Sequence, residues 1–293
     1  MRKTFVSVVT ETFESSQTPV LLLGDIGVFG FRNLKEKFGS RVINMGILEQ
    51  SMVGIASGLA IKGFIPTIHT IAPFMVERAL EQIKIDFGYQ KLAGNFVSVG
   101  ASFDYAALGC THHCPADVAL ISSIPSSQIY LPGSQEEFER QYRENWNNGR
   151  LNYFRLSEDT HKFILDNFDS GVTLLKSGTM GTILVAGPLL ENVMQAVSNL
   201  DISVIYMNEI SDRAIKELRK ISFNQKIVVV EPYYSGTITN LIIENCSLGP
   251  SQIFNLGVPR EFLENYGTTA EHLRHIGLDP ESLKLRIEKI VND

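Results

Sequence analysis

The sequence predicts an α/β protein of two domains, each a mostly parallel sheet with helices on both faces. Short β-branched runs alternate with amphipathic stretches along the chain. Strands that alternate with helices build parallel sheets covered on both sides. A mostly polar stretch from Ser157 to Gly171, ending in Asp169-Ser170-Gly171, separates two such sets and reads as a linker. A chain of 293 residues is long enough for two domains, expected at 1–160 and 171–293.

In the first set, Phe5, Val8, Val9 and Phe13 fall at helical spacing. Val20-Leu21-Leu22-Leu23 reads as a buried strand ending in the turn Gly24-Asp25-Ile26-Gly27. Arg41 to Asn44 is a second strand, followed by a helix that begins near Glu49. Phe64 to Ile68 is a third strand. From Phe74 to about Tyr89 the pattern is helical, with Met75, Ala79, Ile83 and Phe87 along one face. Asn95 to Val99 is a strand, and a long loop runs from Gly100 to about Pro115. A short helix over Val118–Ile124, a strand over Gln128–Leu131, a helix from Gln135 to about Asn147 and a strand over Leu151–Leu156 complete this set. The second set has strands at Thr182–Ala186, Ser203–Tyr206 and Lys226–Val230, with helices at about Leu189–Leu200 and Asp212–Ile221.

Hydrophobic and charged fractions of 44% and 20% describe an ordinary soluble globular protein. A net charge of −6 offers no broad basic surface, which argues against nucleic acid as the main partner. No apolar run approaches the roughly 20 residues that cross a bilayer. The stretch behind Met1-Arg2-Lys3 is broken by Thr10 and Glu11 and fails as a signal peptide. Residence in the cytoplasm, no membrane association, and free thiols for the three cysteines are expected.

The most informative run is Asn44-Met45-Gly46-Ile47-Leu48-Glu49-Gln50-Ser51-Met52-Val53-Gly54-Ile55-Ala56-Ser57-Gly58-Leu59-Ala60. It sets one carboxylate at the start of an otherwise apolar helix rich in small residues. Burying that carboxylate is costly unless something needs it. A cofactor ring nitrogen waiting to be protonated would be such a need. A solvated first-turn acid favoured by the helix dipole is the plainer alternative.

This run resembles the pyrimidine-binding domain of transketolases and related thiamine diphosphate enzymes, and the resemblance extends over nearly the whole chain. It implies that Glu49 is catalytic: it hydrogen-bonds the coenzyme's pyrimidine ring. Phe74, in Ile71-Ala72-Pro73-Phe74, occupies the place of the aromatic residue that stacks on that ring, and Ile71 stands where many relatives carry a second aromatic. Asp25 lies on a turn that faces the coenzyme in relatives, although a strand-end Asp is also a common turn former. Gly109-Cys110-Thr111-His112-His113-Cys114 resembles the family's Gly-Pro-Thr-His-Gln element. His112 then faces the reacting sugar and shuttles protons or hydrogen-bonds the donor carbonyl. Two Cys and two His also invite a zinc reading, but usual tetrahedral sites draw ligand pairs from separated turns. Arg155 aligns with an arginine near the substrate phosphate, a role its planar fork suits, against the alternative of an ordinary ion pair. Leu108 and Gly100 replace an Asp and a His of typical members, so the substrates are expected to depart from the standard pentose phosphates. The tail, with Gly257-Val258-Pro259-Arg260-Glu261-Phe262 and then Tyr266-Gly267, resembles the transketolase C-terminal domain.

The family's second grip on the coenzyme, a Gly-Asp-Gly element followed by Asn, is not found; Gly24-Asp25-Ile26-Gly27 matches it only superficially. The resemblance therefore implies one subunit of a split transketolase in an α2β2 assembly. A separate polypeptide would hold the diphosphate and Mg2+. The expected reaction moves a two-carbon ketol unit from a ketose sugar to an aldehyde. Alternatives are a β-type subunit of a 2-oxoacid dehydrogenase, a deoxyxylulose-phosphate-type synthase, or a non-catalytic assembly subunit.

Overall fold

The computed structural model describes residues 1–163 and 170–292. The part of the expected linker from 164 to 169 lies outside them. In chain order the first unit holds α1 (Arg2–Ser15), β1 (Pro19–Leu23), α2 (Arg32–Phe38), β2 (Val42–Asn44), α3 (Glu49–Ile61) and β3 (Ile65–Ile71). It continues with α4 (Arg78–Gln82), β4 (Gly94–Val99), α5 (Asp117–Ser122), β5 (Gln128–Tyr130), α6 (Gln135–Asn145) and β6 (Leu151–Arg155). Alternate residues of β1 serve both faces of the sheet, as strand pleating requires. Leu21 and Leu23 meet Phe5, Val8 and Phe13 of α1, while Val20 and Leu22 join the cluster of Met52, Met75 and Phe87. The helical run expected from Phe74 is present, but α4 is flanked by π-turns at Pro73–Glu77 and Ile83–Tyr89 and is kinked at Ala79, where φ is −112° and ψ 16°. Met75, Ala79, Ile83 and Phe87 are buried along it.

The second unit holds β7 (Val172–Lys176), β8 (Thr182–Ala186), α7 (Leu190–Ala196), β9 (Ser203–Met207), β10 (Glu209–Ile210), α8 (Asp212–Leu218), β11 (Lys226–Tyr234), α9 (Thr239–Asn245), β12 (Gln252–Val258), α10 (Thr269–Ile276) and α11 (Pro280–Asn292). The first sheet runs β10-β5-β6-β4-β3-β1-β2 and the second β12-β11-β8-β9-β7. Both are parallel except at one edge, where β10 pairs antiparallel with β5 and β7 with β9. Strand β10 therefore comes from the second stretch of chain but completes the first sheet. One apolar cluster also runs from Leu22, Ile68 and Phe96 through Ile129 and Leu131 to Leu184 and Ile205, joining the two units. Among the described residues no helix is long and apolar enough to cross a membrane.

The topology selects one edge for function. β1 pairs with β2 on one side and β3 on the other, so the strand order reverses there. In open parallel sheets the crevice at such a reversal, beyond the carboxyl ends of the strands, is where ligands bind. The Gly24–Asp25 turn, the start of α3, the Ile71–Phe74 corner and the loop after β4 all leave from those ends.

Candidate active site

Glu49 opens α3 and is 1% exposed. Gly46, with φ of +72°, makes the turn that brings the chain from β2 into this helix. The carboxylate is held from two sides. The Thr70 hydroxyl at the end of β3 donates to Oε1 at 3.0 Å, and Arg78 Nη1 donates to Oε2 at 2.6 Å. The Arg78 guanidinium lies over the Phe74 ring, 4.3 Å from its centroid. Phe74 meets the His112 ring edge-on at 5.3 Å. Glu49, Arg78, Phe74 and His112 thus form one contiguous chain of contacts, although 63 positions separate the first from the last.

Gly24 adds a constraint of space. A Cβ there would stand 2.7 Å from Thr70 Oγ1 and 3.5 Å from Glu49 Oε1, so only glycine leaves the carboxylate approachable from β1. Asp25 follows at φ of +56°. Its N–H donates to Asn44 Oδ1 at 3.1 Å and its Oδ1 accepts from Asn44 Nδ2 at 3.0 Å. That pairing ties the β1 and β2 turns together and leaves Asp25 exposed. Ile71 is half-buried and packs on the cluster that holds α1. Leu108 is exposed. Gly100 has φ of +74°, and a Cβ there would lie 2.4 Å from the Tyr105 ring, so the ring itself forbids a side chain at this place. Thr111 Oγ1 lies 3.0 Å from His112 Nδ1. Cys110 is exposed and Cys114 buried, both as free thiols. Among the described residues no group of three or more His, Cys, Asp or Glu side chains is placed to hold a metal ion.

The transketolase pyrimidine-binding domain matches residues 1–161. The chain belongs to the transketolase family. It is 34% identical over 98% of its length, and 93% of the other, to the uncharacterized 33.6 kDa protein in the fasciation locus of Rhodococcoides fascians. It is 26% identical to a subunit of the apulose-4-phosphate transketolase of Phocaeicola vulgatus, over 96% of this chain and 94% of that one. A split-gene transketolase solved as an inactive β4 tetramer superposes with a TM-score of 0.83 at 22% identity, over 99% and 97% of the two chains. The transketolase of Campylobacter jejuni superposes at 0.79 and 17% identity, over 98% of this chain but 46% of its own. These likenesses in structure show the transketolase fold, and in extent the chain equals a C-terminal subunit of a split transketolase.

The residues fit the pyrimidine end of the transketolase coenzyme. A buried carboxylate at a helix start, a half-exposed aromatic ring beside it and a glycine that keeps its approach clear suit a flat, hydrogen-bonding heterocycle. Two members of the cluster are not apparent in the sequence. Arg78 is four residues after Phe74, a spacing that brings a cation beside a ring on one helix. Thr70, 21 residues after Glu49 at the end of β3, gives no local signal.

Arg155 has other partners. Its Nε donates to Asp117 Oδ2 at 2.7 Å and its Nη2 to Ser102 Oγ at 2.6 Å and the Pro232 carbonyl at 3.2 Å. None of these belongs to the Glu49–His112 cluster. Glu231, in β11, accepts the Thr237 and Ile238 N–H groups at 3.2 Å each and so shapes the turn that follows the strand.

A cavity of about 220 Å³ between the two units is lined by Asp104, Arg155, Ser157, Asp159, Glu191 and Asn192. Burial pushes the Asp104 carboxyl up to about 7, against the opposing pull of the Glu158 N–H, Arg155 and Ser157. The folded chain therefore holds this proton at pH values where the unfolded chain has lost it. Stability falls as pH rises from the ordinary carboxylate range to about 7. Asp104→Asn, which keeps the shape without the charge, should match the wild type near pH 4 and exceed it at pH 8. The gain is up to about 4 kcal/mol, since one pKa unit is about 1.4 kcal/mol. Urea unfolding at both pH values checks this, and an equal difference at the two would contradict it.

Proposed function

We propose that this chain is the pyrimidine-binding subunit of a thiamine diphosphate-dependent transketolase, spanning domains 1–160 and 171–293. It would transfer a two-carbon ketol unit from a ketose sugar to an aldehyde, as a cytoplasmic enzyme active only with a separate subunit. That subunit holds the coenzyme's diphosphate and Mg2+, in an α2β2 heterotetramer. The observation that carries this reading is the buried Glu49 carboxylate, reached from the strand-order reversal and flanked by the half-exposed Phe74 ring. When bound, the coenzyme supplies the carbon nucleophile that cleaves and rebuilds the sugar. The chain's own residues then have defined tasks. Glu49 hydrogen-bonds a pyrimidine nitrogen through an oxygen that still has a free lone pair beside Thr70 or Arg78. Phe74 packs the ring face. His112 holds or moves a proton at the substrate oxygen from the far side of Phe74. Leu108 and Gly100 leave the acceptor side short of polar groups, which favours a substrate with fewer hydroxyls to satisfy there.

The partner subunit is supported by the surface around Glu49. Phe29, Ile47 and Leu48 are 82%, 65% and 56% exposed. Large apolar side chains gathered beside a coenzyme site suit a face that is covered in the assembly. The deoxyxylulose-phosphate synthase reading rests on relatives such as that of Syntrophus aciditrophicus, 27% identical over 90% of this chain. The chain spans only 42% of that protein, against 94% of the P. vulgatus transketolase subunit, and we favour the transketolase reading for that reason.

Calorimetric titration tests the division of labour. The isolated chain should bind thiamine diphosphate with Mg2+ at least about 100-fold more weakly than the reconstituted pair, because one of two grips contributes little alone. Equal affinity with and without the partner would refute the split site.

A further inference from the structure

We infer that Arg155 is a positioning residue that fixes the loop carrying His112, and that it acts through the second unit rather than by reading a substrate phosphate. The inference rests on the transketolase reading above. The Arg155 side chain is 2% exposed, and Asp117, its ion-pair partner, is 0% exposed. Asp117 Oδ2 also accepts the Tyr153 hydroxyl at 2.9 Å, and that hydroxyl meets Ser98 Oγ at 2.8 Å. Asp117 is thus fixed from β4 and β6, and the Nε and Nη2 sides of the Arg155 fork are taken up inside the protein. A phosphate reader keeps that fork free for its ligand.

What Arg155 does reach is the base of the loop. Ser102, which takes its Nη2, also hydrogen-bonds the Pro232 carbonyl of β11. The Ser102 carbonyl accepts the Cys114 N–H at 2.7 Å, which draws residues 102–114 into a closed neck. The next carbonyl, that of Pro115, accepts the Tyr234 N–H at 3.0 Å. The loop is held again at its tip. Gly109 has φ of +74°, and a Cβ there would lie 2.8 Å from the Tyr266 ring, so the ring packs on bare backbone. His112 sits between the two anchors. The second unit therefore grips the loop at its neck through Pro232 and Tyr234 and at its tip through Tyr266. Arg155 ties that neck to the first sheet.

Two variants of the full chain test this. Arg155→Lys keeps a cation beside Asp117 but cannot span Ser102 and Pro232. Ser102→Ala removes the hydroxyl that links the fork to β11 and leaves the Arg155–Asp117 pair whole, so it carries the test should Arg155→Lys not fold. In the complex with the partner subunit, each is assayed with a phosphorylated and an unphosphorylated ketose donor. We expect kcat to fall about tenfold or more with both donors, as misplacement of a reacting group does, while the ratio of their KM values stays that of the wild type. In 1H–15N spectra of the full chain alone, the His112 ring signals should shift in both variants. A KM increase confined to the phosphorylated donor would overturn the proposal and restore phosphate reading. Unmoved His112 signals in a folded Arg155→Lys chain would overturn it as well. Absence of ketol transfer by the wild-type complex would instead count against the parent reading, and the His112 signals would then decide alone.

Discussion

Glu49→Gln should cut the turnover of the reconstituted complex by about 10²- to 10⁴-fold, the range for loss of a positioned acid or base. The substitution keeps the shape of the side chain. Thr70 can still donate to the remaining amide oxygen at the Oε1 position. What disappears is the charge that holds Arg78 and the ability to exchange a proton with a ring nitrogen. Arg78 is 40% exposed at its side chain, so water replaces its lost partner at small cost to the fold. The melting temperature of the isolated chain should therefore change by only a few degrees, about what 1 kcal/mol moves in a chain of this size. Steady-state turnover and thermal unfolding on the same preparation check both halves. Wild-type turnover in the variant would remove Glu49 from the mechanism and favour an assembly role for the chain.

The largest effect on stability should come from Glu137→Ala, at about 3–5 kcal/mol. Glu137 lies in the first turn of α6 and is 1% exposed. Its Oε2 accepts the Gly133 N–H and the Tyr206 hydroxyl, each at 2.8 Å, and its Oε1 lies 3.1 Å from His161 Nε2. Tyr206 belongs to β9 of the second unit, and His161 to the segment after β6. One carboxylate thus fastens three separate parts of the chain. Truncation leaves three buried polar groups without it, and an unmet buried donor costs more than a made hydrogen bond contributes. Tyr206→Phe, which removes one hydroxyl, should cost only about 1 kcal/mol. Urea midpoints of the two variants check the contrast. Equal, small losses would show that water or neighbouring groups take over the carboxylate's role.

Much of the fold is legible in the sequence because buried strands and helix faces carry their periodicity locally. Phe5, Val8, Val9 and Phe13 mark α1, and every strand expected in the first unit is present. The elements not anticipated are those with weak local signals. Helix α2 is charged, with Leu34 its buried residue. Strand β7 pairs antiparallel at an edge and is only partly buried, and β10 is two residues long. The elements from α9 to α11 lie where the sequence speaks through its likeness to the family's tail rather than through periodicity.

The site divides in the same way. Glu49 stands out because a carboxylate at the start of an apolar helix conflicts with its surroundings, and such a conflict is visible in one dimension. Phe74 and His112 come from the resemblance, and the structure brings both into contact with the Glu49 group through Arg78. The partners of Arg155 are invisible in the sequence, because Asp117, Ser102 and Pro232 meet it across sequence separations of 38, 53 and 77 residues. By itself the sequence determined most of the segments that form strands and helices, and which acid sits at the mouth of α3, since backbone preference and burial act over a few residues. Only the tertiary structure decided whom each polar group faces. A buried hydrogen bond depends on strand order and on the packing of one unit against the other, and neither is written in local spacing.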